Sequence, residues 1–233
     1  MKNHNGIDEI TLSYLNLQTP QEHRGNIFIF FLVFLDIIGL LPILGESFSA
    51  LFFWPAIIPI GLLHIAAIVY MIAPYKFEHS YYLFFGVYGV VNTFIYFLVI
   101  QKLLYINIGI ESQIVFILGA ILLILLLVFF QWFNIKMLYS GTYAKLQQNK
   151  KKISVSPIIT ATAFGYIIAQ FIMSALASGS IKLMVIITLI SILSVVTAFF
   201  SIYIHRYFFI RKNYEIVKRT YPEFGLPKNL RRN

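Results

Sequence analysis

Asp36, His64 and Asn92 are the side chains of this sequence best suited to hold or move a proton, and each stands inside a long apolar run. Counted from the run ends that share one side, Asp36 is about nine or ten residues in, roughly 14 Å at helical rise, His64 about nine and Asn92 about eleven. All three therefore fall within about one helical turn of each other in depth. A carboxylate at that depth in hydrocarbon is costly unless it is paired or protonated. An imidazole at the same level is its natural partner. A charge-assisted Asp36–His64 bond would raise the basicity of the histidine and fix its ring, with Asn92 completing the network. Two chemistries follow: a proton or cation site, the usual meaning of an intramembrane ionisable pair, or interhelical glue worth about 0.6–2 kcal/mol per hydrogen bond. The residue types leave both open.

The runs that must position these residues are Asn26–Leu44, Phe52–Ala73, Tyr81–Tyr105, Gln113–Leu138, Pro157–Ala177 and Lys182–His205. Each is long enough to be a transmembrane helix, because roughly 20 apolar residues cross a hydrocarbon core about 30 Å thick. The expectation is an all-α polytopic membrane protein with six transmembrane helices. Residues 1–25 form an amino-terminal segment, 26–205 the transmembrane domain, and 206–233 a basic tail. With six crossings, both termini and the second and fourth loops share a compartment. Of the 18 Lys and Arg, 16 lie on that side and only Lys102 and Lys182 on the other. The positive-inside rule then puts both termini in the cytoplasm, for a multi-pass protein of the bacterial cytoplasmic membrane.

Composition agrees with that architecture. The chain is 59% hydrophobic and 12% charged, with a mean hydropathy of +0.81, whereas soluble domains carry about 25% charged residues. Its longest hydrophilic stretches, the first 25 residues, Tyr139–Ser156 and the tail after His205, are too short for a core of their own. Met1–Gly25 contains Asp8, Glu9 and Glu22 and no early apolar stretch, so the first apolar helix is the expected insertion signal. The absence of cysteine excludes disulfides, thiolate metal sites and cysteine nucleophiles. The net charge of +9 sits beside helix ends, where anionic headgroups attract it, which makes the lipid bilayer the expected partner and not nucleic acid.

Smaller patterns fill in the bundle. Ile7, Ile10, Tyr14 and Leu17 suggest a weak amphipathic helix ending at Thr19-Pro20. Tyr207, Ile210, Tyr214, Val217 and Tyr221 form a stripe on a helix that continues beyond the last span to Tyr221-Pro222, expected to lie against headgroups, with a protein-docking face as the other reading. Gly86 and Gly89 in the third span, Ala161, Gly165 and Ala169 in the fifth, and Ser191, Ser194, Ala198 and Ser201 in the sixth are spaced for close helix packing. Pro55, Pro59 and Gly61 predict a loosened outer end of the second span. Gln131 and Trp132 read as interfacial. There is no HExxH, no Gly-x-Ser-x-Gly, no pair of acids spaced for metal-dependent lipid chemistry and no Gly-rich phosphate loop. A non-enzymatic protein without metal or cofactor is expected.

Permease subunits of ABC exporters carry a coupling helix between their second and third spans and a re-entrant element between their fifth and sixth. Only Pro74–Ser80 and Ser178–Ser180 stand at those places here. The stretches GNIFIFFLVFLDIIGLLPI and IHRYFFIRKNYEIVKRTYPEFGLP resemble instead the small polytopic proteins encoded beside secreted toxins of Gram-positive bacteria. Among these are immunity proteins of type VII secretion loci, which protect the producer's membrane against toxins of the LXG class. The resemblance covers topology and composition along the whole chain and carries over no functional residue. It implies a protein that binds the membrane-active domain of a toxin from outside or within the bilayer. The alternative function is a small transporter or permease-like subunit with an intramembrane polar site.

Overall fold

The computed structural model describes residues 14–15, 17–148 and 179–231. Among them every regular element is helical, and five helices are long and apolar enough to cross a membrane. These are α1 (Pro20–Leu44), α2 (Ala50–Ile72), α3 (Glu78–Ile108), α4 (Gln113–Tyr139) and the run Gly179–Lys212. That last run is two helices, α6 (Gly179–Phe199) and α7 (Ile202–Lys212); a short α5 (Thr142–Gln148) follows α4, and α8 (Tyr214–Thr220) follows α7. The expected fifth span, Pro157–Ala177, lies outside the described residues together with Ala161, Gly165 and Ala169.

Helix α1 starts at Pro20 and not at Asn26 because its polar first turn is capped. The Thr19 hydroxyl accepts the Glu22 N–H at 3.3 Å, and the Glu22 carboxylate accepts the Thr19 N–H at 2.6 Å, a reciprocal box with proline in the first turn. Helix α2 runs through Pro55 and Pro59 without a break, so the expected loosened end is not found. Each proline removes one backbone bond, but Phe52, Ala56, Ile60 and Leu63 are buried in the core along the same stretch and hold the helix in place.

Helix α3 is the axis of the bundle, with buried residues along most of its length. It runs parallel to α1. Tyr88 Oη donates to the Phe30 carbonyl and Tyr96 Oη to the Phe34 carbonyl, both at 2.8 Å, while Lys102 Nζ reaches the Pro42 carbonyl at 2.9 Å. The two hydroxyls meet a stretch of α1, Phe30–Leu40, that is wound as a π-helix.

Against α6 and α7 the axis runs antiparallel. Thr93 Oγ1 lies 3.1 Å from Thr197 Oγ1. A Cβ on Gly89 would stand 2.8 Å from the Ser201 nitrogen, and one on Gly86 would stand 2.5 Å from the Ile204 nitrogen. The two glycines let backbones touch, and Ser194 and Ala198 are buried near the same contact. Here the last span breaks. Phe200 N–H bonds to the Thr197 carbonyl and Ser201 N–H to the Ala198 carbonyl, both at 3.0 Å, a tightened three-residue repeat. Gln131 Nε2 donates to the Ser201 carbonyl at 2.7 Å, so this side chain is not interfacial but supplies the donor that a broken helix needs in an apolar setting.

Helix α4 shows what surrounds the bundle. It buries only Asn134 and Leu138, while Ile117, Leu122, Ile124 and Val128 are exposed. Faces of this kind suit hydrocarbon and not water, and with five such helices they mark a membrane protein.

One end of the bundle carries Arg24, Lys76, Lys136, Arg206 and the tail and is here the basic end; the far end carries Glu46 and Glu111. At the basic end a second core joins Leu15, Tyr82, Ile210, Val217 and Phe224. The Ile210 and Val217 stripe therefore docks on protein and does not lie against headgroups. Its anchor is Glu78 on α3, buried and bonded to the Gly225 N–H at 2.7 Å and to the Arg231 guanidinium. A carboxylate buried there needs a cation, and the tail folds back to supply one.

Candidate functional site

The intramembrane pair forms where the π-helical stretch of α1 passes the middle of α2. His64 Nε2 lies 3.2 Å from Asp36 Oδ1 and 3.4 Å from Oδ2, and His64 Nδ1 lies 2.9 Å from the Ile60 carbonyl. A carbonyl only accepts, so Nδ1 carries a hydrogen. Nε2 is therefore the ring nitrogen that faces the carboxylate, and the two side chains meet through it. Phe31 stands edge-on to the imidazole, with ring centroids 5.4 Å apart. The pair is not sealed: the histidine side chain is 39% exposed and that of the aspartate 31%, beside exposed Val33, Ile37, Ile65 and Ile68.

Asn92 does not complete this network. It is fully buried on the α3 face that carries Tyr88 and Tyr96 one turn to either side, its amide is turned to the Tyr96 side chain, and no hydrogen bond joins it to Asp36 or His64. The two tyrosine hydroxyls that flank it are committed to α1 carbonyls. The structure thus joins two of the three expected residues and leaves the third apart.

A second polar network, at the basic end, has no counterpart in the sequence reading. Asn134 Nδ2 donates to Tyr14 Oη at 2.8 Å, Tyr143 Oη donates to Asn134 Oδ1 at 2.9 Å, and Tyr14 Oη lies 3.1 Å from His205 Nδ1. The Arg206 guanidinium lies over the rings of Tyr14, Tyr82 and Tyr203 at 5.3–5.7 Å. Burial raises the Tyr14 hydroxyl well above its ordinary value, against the Asn134 bond and the Arg206 charge, and burial raises Tyr143 as well. Both stay neutral donors, so the network locks the segment before α1 to α4, α5 and α7. Its visible signal is Asn134, an amide near the end of an otherwise apolar helix.

Comparison with known protein families, curated proteins and solved structures found no match.

The far end holds a groove of about 670 Å³ between the ends of α2, α3 and α4, lined by Leu51, Phe52, Pro55, Phe94, Phe97 and Phe116 among others. Tyr105 fixes its rim: the hydroxyl donates to the Ser112 carbonyl at 2.6 Å and accepts the Phe116 N–H at 3.1 Å. At the same end Lys102 is 2% exposed, and its ammonium donates to the carbonyls of Pro42, Ile43 and Gly45 at 2.9, 3.1 and 3.2 Å. This lysine is a cap on the carboxyl end of α1, where the helix dipole favours a cation, and not a free charge on the far surface. Among the described residues no three His, Asp or Glu come together as a metal site would require.

Proposed function

We propose that this chain is a six-span protein of the bacterial cytoplasmic membrane, both termini in the cytoplasm, that protects its own cell by binding the membrane-active segment of a secreted toxin. The far-end groove carries the reading. It is apolar and open, it is built from the outer ends of three helices, and an apolar helix entering from outside would meet it first. The orientation is supported by the basic residues gathered at one end. The number of spans is supported by the six apolar runs of the sequence, each long enough to cross a bilayer. The resemblance to immunity proteins of toxin loci gives the class of partner.

The test is to express the chain in cells challenged with the toxin encoded beside it and to follow membrane potential with a dye. Wild type should hold the potential, whereas Leu51→Glu and Ile117→Glu, which put carboxylates on exposed positions of the groove, should abolish protection at equal membrane expression. Depolarisation as fast as in cells lacking the protein would refute the immunity reading.

The Asp36–His64 pair favours a second reading, a small proton-coupled carrier or permease-like component, because it sets a carboxyl and an imidazole in contact between two apolar helices, the groups from which intramembrane proton sites are built. A solute-driven pH change in proteoliposomes, lost in Asp36→Asn, would select that reading.

A further inference from the structure

We propose that the pocket at the basic end between α1, the turn after α2 and the carboxyl-terminal tail binds the phosphate of an anionic phospholipid headgroup. This site is separate from the groove assigned to toxin binding. The pocket measures about 630 Å³, and Arg24, Lys76 and Lys228 line it together with Gln21 and Tyr75. Its three cations come from three distant parts of the chain, so folding and not a basic run brings them together.

No acidic side chain lines the pocket. Glu78, two residues beyond Lys76, is already bonded to Arg231 and to the Gly225 N–H. The field in the pocket is therefore positive. Arg24 is held in place, with Nε donating to the Met71 carbonyl at 2.8 Å and Nη2 to the Ile72 carbonyl at 3.4 Å. Lys76 Nζ stands 5.5 Å from the centre of the Phe77 ring. A phosphate diester offers the oxygens that a planar guanidinium and two ammonium groups recognise.

The apolar wall favours a lipid over a soluble phosphate. Ile72 lines the pocket and is 74% exposed, Met71 beside it is also exposed, and both belong to the last turn of a membrane-spanning helix. The pocket thus joins an exposed apolar wall to a set of cations at the end of a membrane-spanning helix, which is the profile of an amphiphile.

The full chain in mild detergent, mixed with equal amounts of phosphatidylglycerol and phosphatidylcholine of the same acyl chains, should retain phosphatidylglycerol preferentially in native mass spectrometry. Lys76→Gln and Lys228→Gln should each lower that preference about five-fold, and together roughly twenty-five-fold. Lys76→Arg with Lys228→Arg should keep it, as should Lys182→Gln at the far end. Equal retention of the two lipids by wild type, or an unchanged preference in the double glutamine variant, would overturn the proposal. Displacement of the lipid by equimolar inorganic phosphate would assign the pocket to a soluble anion and overturn it as well.

Discussion

Lys102 and the Asp36–His64 pair are both ionisable groups among apolar helices, and they differ in what they meet. The lysine meets three backbone carbonyls that α1 itself leaves without partners. Lys102→Met should strand those acceptors and destabilise the protein by about 1–3 kcal/mol, seen as a lower Tm in detergent. Lys212→Met, at an exposed position, should change stability by no more than about 0.5 kcal/mol. Equal Tm values for the two variants would remove the capping role. For the ion pair, Asp36→Ala and His64→Ala should each destabilise, and the double variant should cost less than their sum by about 0.6–2 kcal/mol; strict additivity would mean that the two do not interact. The pairing was legible in the sequence because an acid in an apolar run has few possible partners at its depth. Asn92 was not, since the partner of an amide depends on how the helix is rotated, and depth says nothing of rotation. Lys102 was hidden for a related reason: its acceptors are main-chain atoms about sixty residues earlier.

Between elements, the contact of α3 with α6 and α7 turns on two glycines and a break. Gly89→Ala would push a Cβ to 2.8 Å from Phe200 Cβ and from the Ser201 nitrogen. Overpacking of that kind should cost about 1–3 kcal/mol. Gly25→Ala, in α1 with nothing within 4 Å of the new Cβ, should instead stabilise by up to about 1 kcal/mol. Thermal unfolding of the two variants should move in opposite directions, and a Gly89→Ala protein as stable as wild type would mean that the helices do not meet there. Small residues at close spacing made Gly86 and Gly89 readable. The break beside them was not, because Phe199-Phe200-Ser201 contains neither proline nor glycine and is shaped by a donor on α4. The tail belongs at this scale too. Glu78→Ala should free the segment after α8, and trypsin should then cut after Lys228 about ten-fold or more faster, in line with the loss of a buried charged bond. An unchanged cleavage rate would mean that Glu78 does not anchor the tail.

For the molecule as a whole, the apolar runs made the membrane class plain, and three of them, Phe52–Ala73, Tyr81–Tyr105 and Gln113–Leu138, lie within three residues of a described helix at each end. The ends drifted because polar turns such as Thr19–Glu22 are held by capping, which hydropathy does not weigh. The orientation can be read in this cysteine-free chain with single cysteines and an impermeant thiol reagent. Ser47→Cys should label from outside the cell and Lys228→Cys should not; the reverse pattern would invert the topology. The parallel pairing of α1 with α3 also governs how the chain comes into being. The polar bonds between these helices span 55 to 62 residues of sequence. While the ribosome is still making α3, an inserted α1 has neither the hydroxyls that its π-helical turns receive nor the ammonium that closes its far end. The first crossing therefore completes its polar contacts only when the third arrives, with birth order and partnership one helix out of step.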